Sequence, residues 1–346
     1  MLPLLAWVVF LIGHFIYEWP YFVLPAVALI ASVLSAVHHA EVIAHKVGEP
    51  FGALVLALAV TTIEVSLIVS LMVAGGPDTS MLARDTVFAA VMIILTGMIG
   101  LCILSGAIKY KQQTFTLQGI SAALTILVAI SVLTLILPNF TVAIPGPFFS
   151  NRQLVFVALI TLVLYGSFLF VQNIRHRSDF LSAEEEDEII AERPTTTSTI
   201  TSSVLLVVCL GAVVFLAESL APALESWIHS VGAPVSLTGV IIATIVLLPE
   251  GISAVKAANN NQLQKSFNLS LGSALASIGL TIPTVSLVSI YTGLPLSLGL
   301  NAESTVIFLL TLFVIILSLS TGKTTILQGI VLLVLFSIYL FTTIFP

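Results

Sequence analysis

Charged residues are scarce in this chain. Of its 346 residues only 8% are Asp, Glu, Lys or Arg, whereas 58% are hydrophobic. Five of the acids also fall in a single tract, residues 184–188, so the net charge of -6 says little about the rest of the molecule. Soluble domains carry about 25% charged residues. This composition therefore excludes an ordinary soluble domain and predicts an integral membrane protein.

Cysteines and common catalytic signatures are also rare or missing. The two cysteines, Cys102 and Cys209, fall inside apolar segments, so we expect no disulfide framework. The chain has no Gly-rich phosphate loop and no GxSxG, HExxH or CxxC pattern. We therefore expect no enzyme activity, no ATP-driven pumping and no cofactor. The N-terminus lacks the basic start and cleavage site of a signal peptide, which favours a retained first helix.

Long apolar runs separated by Gly and Pro predict an all-α membrane fold. Eleven runs are candidate membrane helices, and the first of them is short. They span residues 2–17, 21–44, 51–74, 84–108, 116–137, 153–174, 200–220, 235–257, 266–290, 300–319 and 325–344. The strongly polar segment is residues 175–199, which holds the acidic tract, Pro194 and a Thr/Ser run. We expect a solvated linker there, with a cation-attracting or regulatory role as the alternative.

Basic residues predict the orientation, because Lys and Arg of short loops mark the cytoplasmic face. With eleven crossings, two of the eleven basic residues fall on one side, Arg84 and Arg152. The other nine share the opposite side: Lys46, Lys109, Lys111, Arg175, Arg177, Arg193, Lys256, Lys265 and Lys323. This bias predicts a multi-pass protein of the cell inner (plasma) membrane, with the N-terminus and the acidic linker in the cytoplasm and the C-terminus outside.

The chain also divides into two related halves. The segment HKVGEP at residues 45–50 parallels HSVGAP at residues 229–234, and a glutamate follows the glycine by 16 residues in the first half and by 18 in the second. Five helices in each half give the halves opposite orientations, which is the inverted-repeat plan of secondary transporters. We expect an extra N-terminal helix at 1–20, a first repeat at 21–174, the linker at 175–199 and a second repeat at 200–346.

Those two glutamates, Glu64 and Glu250, are the main candidate site. Each lies near the middle of an apolar run, where a carboxylate is costly and is tolerated mainly when it faces a cavity, a proton or a cation. The helices offer no Lys or Arg at comparable depth to pair with them. Because ion sites of inverted repeats lie at the repeat interface near the midplane, we expect both glutamates in one cation or proton site.

Several neutral residues could complete this site. Pro249 frees backbone carbonyls near Ile245 and Val246, and Thr61 lies one helical turn before Glu64. Gly272 is expected to allow close helix contact. The remaining candidate ligands, Asn268, Ser273 and Ser277, share a stripe of the ninth predicted helix. Ser and Thr in membrane helices are also often packing devices, and that alternative stays open for each hydroxyl.

Other polar residues are candidates for functions outside this site. Glu218 and Glu303 lie nearer helix ends, where they are candidates for gating or for a proton path. His38, His39 and His45 cluster around Glu41 at the end of the second predicted helix. A transition-metal site and a pH sensor are both alternatives there to a titratable cap at the membrane interface.

The stretches VGEPFGALVLALAVTTIEVSLI (47–68) and LLPEGISAVKAANNNQLQKSFNLSLGSALASIGLTIP (247–283) resemble the two α-repeats of bacterial ChaA-type calcium/proton antiporters, within the calcium/cation antiporter superfamily. The resemblance implies two inverted five-helix repeats plus an extra N-terminal helix. It also implies exchange of cytoplasmic Ca²⁺ for external protons, with Na⁺/H⁺ or K⁺/H⁺ exchange as an alternative or a second activity. By similarity Glu64 and Glu250 are the repeat carboxylates.

The same resemblance assigns Thr61, Ser273 and Ser277 to polar positions near these acids, and Thr96 is a further candidate from the first-half partner helix. Hydroxyls common one turn before the second acid are replaced here by Val246 and Leu247. We therefore expect one cation site at which protons compete with the ion. Its partners are inorganic cations, protons and the lipid bilayer, without nucleic acid. A passive channel or a membrane sensor is the distant alternative.

Overall fold

The computed structural model describes residue 7 and residues 23–48, 51–176, 179–180 and 194–346. Ten helices in these residues are long and apolar enough to cross a membrane. In chain order they are α1 Val23–Val47, α2 Phe51–Gly75, α3 Leu82–Tyr110, α4 Leu117–Phe140, α5 Asn151–Arg175, α6 Thr196–Val231, α7 Ser236–Asn259, α8 Leu263–Thr292, α9 Ala302–Leu319 and α10 Ile326–Ile344. Helices predominate because lipid cannot hydrogen-bond an open backbone.

Part of the predicted chain lies outside the described residues. The helix predicted at 2–17 is represented there by Trp7 alone, whose indole Nε1 donates to the Val208 carbonyl of α6 at 3.2 Å. The total of eleven helices and the boundary at residue 20 therefore stay predictions. The acidic tract at 184–188 also lies outside, whereas Asp179 and Phe180 of the linker are described.

The boundaries of α6 differ from the prediction. We expected a helix over 200–220, but α6 runs from Thr196 to Val231 with Pro222 inside it. Proline lacks one backbone donor, and neighbouring helices can satisfy the carbonyl that it leaves free within a membrane bundle. Pro249 in α7 and Pro283 in α8 are likewise interior to continuous helices. Three helices of the second half therefore contain an interior proline.

The two halves of the described chain have matching local structure. Gly48 and Gly232, the glycines aligned between the halves, both have positive φ, at 76° and 71°. This left-handed conformation is available to glycine at little cost, so both segments turn in the same way between two helices. The helix that follows each of these turns, α2 or α7, carries one of the two glutamates.

The third helix of each half packs against the fifth helix of the other. Gly100 of α3 faces α10, and a Cβ built on it would lie 3.2 Å from Leu332 Cβ. Gly279 of α8 faces α5, and a Cβ built on it would lie 2.9 Å from Tyr165 Cβ. Helices α1 to α5 thus correspond in order to α6 to α10, and the pairing of Gly100 with Gly279 extends the repeat beyond the glutamates.

Two opposite faces of the bundle can be distinguished by their loop contacts. On one, which we call the strand face, β1 (Gln113–Thr114) pairs antiparallel with β2 (Lys323–Thr324), and Gln113 Nε2 donates to the Ala258 carbonyl at the end of α7. On the other, which we call the loop face, the Ser297 amide donates to the Ser80 carbonyl at 2.9 Å. Lys109, Lys111 and Lys323 thus lie together at the strand face, in agreement with the predicted topology, in which they share a side.

Candidate functional site

Glu64 lies in the middle of α2 and points into the bundle. Its side chain is 2% exposed, although α2 is apolar on nearly every side. One carboxylate oxygen, Oε2, accepts a hydrogen bond of 2.7 Å from the hydroxyl of Ser277 in α8. The other oxygen, Oε1, has no hydrogen-bond partner among the described residues. The contact with Ser277 joins the glutamate helix of the first half to the third helix of the second half.

Glu250 is buried to a similar extent in α7, where it is 8% exposed. Its Oε2 atom likewise has no hydrogen-bond partner in the described part of the chain. Glu250 lies within electrostatic range of Glu64 and of Glu41 in α1. The structure therefore places the two predicted carboxylates, one from each half, within electrostatic range of each other in the buried interior.

Neither glutamate takes part in an ion pair among the described residues. Two ionised carboxylates without a cationic partner would repel each other and would both be expensive to bury. Bound protons or a bound cation would remove this cost. The unpartnered Oε1 of Glu64 and Oε2 of Glu250 are oxygen atoms of the kind that hard cations such as Ca²⁺ and Na⁺ take as ligands.

The predicted hydroxyl ligands differ in how the structure places them. Thr61, one turn before Glu64, is buried at 3% exposure, and Ser277 contacts Glu64 directly. Ser273, one turn before Ser277, is half-buried. Thr96 is fully buried, but its hydroxyl donates to the Met92 carbonyl of its own helix at 2.5 Å, within a π-helical stretch at Ile93–Met98. Thr96 is therefore engaged by its own helix in this conformation.

Two predictions about α8 are wrong. Asn268 is not at the glutamates: its Nδ2 donates to the Phe180 carbonyl of the linker, and its Oδ1 accepts from Gln264 Nε2 at 3.1 Å. It shares the stripe of Ser277 but lies nine residues away, which is about 13 Å along a helix. Gly272 does not allow a close helix contact either, because a Cβ built there would meet nothing within 4 Å.

The secondary acidic candidates are both exposed. Glu218 lies on the surface of α6, and Glu303 lies in the first turn of α9. Glu303 lines a cavity of about 70 Å³ near the loop face, together with the ion pair between Arg84 and Asp85 and with Tyr339. Neither Glu64 nor Glu250 is among the residues that line this cavity.

The histidine cluster does not form a metal site in the described structure. His39 Nδ1 lies 3.3 Å from the hydroxyl of Ser202 in α6, and the His38 and His39 rings are 5.6 Å apart. No group of three or more His, Cys, Asp or Glu that could hold a metal is present among the described residues. Glu41 lies within electrostatic range of Glu250, a proximity that the sequence pattern missed because it grouped Glu41 with the histidines. Both cysteines are free and buried.

Comparison with known proteins places this geometry in context. The family model described as "Sodium/calcium exchanger protein" matches residues 17–173 and 201–345. A Sinorhizobium fredii protein named as an ionic transporter, y4hA, is 47% identical over 318 residues, covering 92% of this chain and 87% of that protein. The sodium-potassium/proton antiporter ChaA of Escherichia coli is 38% identical over 323 residues, with the same coverages of 92% and 87%.

The fold also resembles a solved structure. The selenium-substituted Ca²⁺/H⁺ antiporter protein YfkE superposes with a TM-score of 0.77 at 18% sequence identity, covering 100% of this chain and 98% of that one. At this identity the likeness speaks for the fold and not for the ligands.

Proposed function

Because the chain belongs to the sodium/calcium exchanger protein family, as a ChaA-type antiporter of the calcium/cation antiporter superfamily, we propose that it exchanges Ca²⁺ for protons at Glu64 and Glu250. It is a multi-pass membrane protein and a cation exchanger. The observation that carries the proposed site is a pair of buried carboxylates within electrostatic range of each other, each with an oxygen that lacks a hydrogen-bond partner in the described structure.

Exchange follows from competition for the same oxygen atoms. The pair of carboxylates is neutralised either by two protons or by one divalent cation, and both cannot occupy the site together. A neutralised site crosses the low-dielectric barrier more readily than a charged one, so each change of access carries either protons or the cation. Two protons exchanged for one Ca²⁺ would be electroneutral, whereas two protons exchanged for one Na⁺ would be electrogenic.

Ca²⁺ is the first candidate because two carboxylates match its charge. Na⁺ or K⁺ is a second candidate, and two observations favour it. Ca²⁺ takes about six to eight oxygen ligands, but Asn268 and Thr96 are engaged elsewhere. The relative that is 38% identical is named for sodium-potassium/proton antiport. A monovalent ion needs fewer charged ligands and suits this smaller set of side-chain oxygens.

The site is tested by cation-induced proton release from acid-loaded proteoliposomes. Ca²⁺, Na⁺ and K⁺ are added separately to wild type, Glu64→Gln and Glu250→Gln. Glu218→Gln and Glu303→Gln serve as controls, since they make the same change at exposed glutamates, and a loss of release in either would assign that residue the gating or proton-path role. We expect release by Ca²⁺ in wild type and in both controls, and none in the two central variants.

The other outcomes separate the parts of the proposal. Release by Na⁺ or K⁺ alone, lost in the same two variants, would keep the site and replace the cation. Central variants that match wild type would remove the two-glutamate mechanism. The orientation is tested on the same vesicles by labelling single cysteines placed on each face, and we expect the strand face to be cytoplasmic.

A further inference from the structure

A methionine lies between α7, which carries Glu250, and α8, whose Ser277 contacts Glu64. Met98 of α3 is 5% exposed, and its sulfur lies 3.2 Å from the hydroxyl of Ser270 in α8. On its other side, a Cβ built on Gly251 of α7 would lie 3.5 Å from Met98 Cε. Gly251 directly follows Glu250 in the chain. The Met98 side chain therefore fills the space between α7 and α8 next to the proposed site.

Met98 also occupies a special position in the repeat. The alignment that pairs Gly100 with Gly279 places Met98 opposite Ser277, because both lie two residues earlier. In the second half this position donates a hydrogen bond to Glu64. In the first half it holds a thioether beside Gly251, the neighbour of Glu250. The same place in the two repeats thus holds a ligand in one half and an apolar side chain in the other.

Beyond Met98, hydroxyls line α8 toward the strand face. Ser270 lies seven residues closer to that face than Ser277, or about 10 Å along the helix. One turn further on, Ser266 lies against Cys102 of α3. Ser266 and Ser270 are both fully buried. These hydroxyls and Met98 form one row along the contact between α3 and α8.

No strong hydrogen bond fixes Met98 in this row. The Ser270 hydroxyl has a single proton, and its oxygen also lies 2.9 Å from the Ser266 carbonyl, which is a stronger acceptor than a thioether. Met98 therefore stays in place mainly by dispersion contacts, and its three rotatable bonds allow it to move without breaking a strong bond. It also ends the π-helical stretch Ile93–Met98, and such stretches are frequent at functional sites.

From this placement we propose that Met98 is the seal between the two glutamates and the strand face. In this conformation the thioether separates Glu64 and Glu250 from the hydroxyls of Ser270 and Ser266. When the side chain rotates away, water, protons and the cation reach the glutamates along the α3–α8 contact. This role rests on the proposed exchange at the glutamates and adds to it the residue that closes the site on one face.

The test is proton leak without any transported cation. Acid-loaded proteoliposomes of wild type, Met98→Ala, Met98→Leu and Met92→Ala are followed in a buffer free of Ca²⁺, Na⁺ and K⁺. Met92 is the matched control, because it is a fully buried methionine six residues earlier in the same helix. We expect Met98→Ala to leak protons several-fold faster than wild type. Met92→Ala should stay tight, and Met98→Leu should also stay tight because it restores the volume.

Equal leak from both alanine variants, or a Met98→Ala variant as tight as wild type, would overturn the seal. Where Met98→Ala does not fold, Met98→Val makes the same comparison with a smaller loss of volume. Cation-driven release in wild type is measured in parallel. Its absence would count against the proposed exchange, whereas the leak comparison without cations would still decide whether Met98 closes the path.

Discussion

The hydrogen bond from Ser277 to Glu64 makes a quantitative prediction. The hydroxyl donates to carboxylate Oε2 at 2.7 Å, and both residues are buried. A donor of this kind stabilises the ionised carboxylate, which is the form that binds a cation. Ser277→Ala removes it, so protons should compete better with the cation at Glu64. Cation-induced proton release should then require a higher pH.

The size of this shift follows from the energy of the bond. Hydrogen bonds to charged groups contribute about 1.5–3 kcal/mol net. One pH unit of competition corresponds to about 1.4 kcal/mol. We therefore expect the pH of half-maximal cation response to rise by about one to two units in Ser277→Ala. The direction is fixed by the bond: losing a donor to the charged form favours the protonated form, so activity is lost from the acidic side of the profile.

The measurement is the pH profile of cation-induced release at one fixed cation concentration. Ser277→Thr keeps the hydroxyl and should leave the midpoint near that of wild type. Ser286→Ala makes the same change in the same helix at another buried serine, and it should also leave the midpoint in place. An unchanged midpoint in Ser277→Ala, or an equal shift in Ser286→Ala, would refute the assignment of this bond to the transport site.

Two further predictions concern packing and charge outside the glutamates. A Cβ on Gly239 of α7 would lie 2.8 Å from the backbone of Asp85. Gly239→Ala should therefore push α7 away from α3 and slow the initial rate of exchange. Gly272→Ala is the control and should leave that rate unchanged, because a Cβ at Gly272 would meet nothing within 4 Å. Arg84→Met leaves Asp85 largely buried and unpaired, at a cost of about 3–5 kcal/mol. The melting temperature of the purified protein should fall accordingly, and adding Asp85→Asn should recover much of the loss. An unchanged melting temperature in Arg84→Met would show that the ion pair between Arg84 and Asp85 contributes nothing to stability.

The sequence was informative wherever the bilayer imposes a simple rule. Helix spans followed from the length of apolar runs, and the two glutamates stood out because charge at membrane depth is costly. The end of α6 was missed because the apolar run counted for it stopped at residue 220, whereas α6 continues through Pro222 to Val231, which a packed membrane helix tolerates. These rules concern each helix alone, and they do not report which helices touch.

Contacts between helices were harder to predict. Asn268 shares a stripe with Ser277, but helical periodicity fixes the direction around the axis and leaves the depth unspecified, so Asn268 was placed with the glutamates. Met98 was missed because a methionine in an apolar run carries no compositional signal. Met98 also ends a π-helical stretch, whose i→i+5 hydrogen bonds change the direction in which later side chains point, and the sequence pattern does not reveal such a stretch.

The position held by Met98 in the first half and by Ser277 in the second explains why the two halves of the site are not equivalent. Repeat symmetry alone would give each glutamate the same neighbour from the partner half. Glu64 has a hydroxyl donor in Ser277, whereas the matching residue of the first half, Met98, has a thioether that donates no hydrogen bond. Two identical half-sites would hold a cation equally from both faces and would offer no difference in how they open. Replacing one donor with a flexible apolar side chain keeps both carboxylates and gives one face of the site a residue that can move aside.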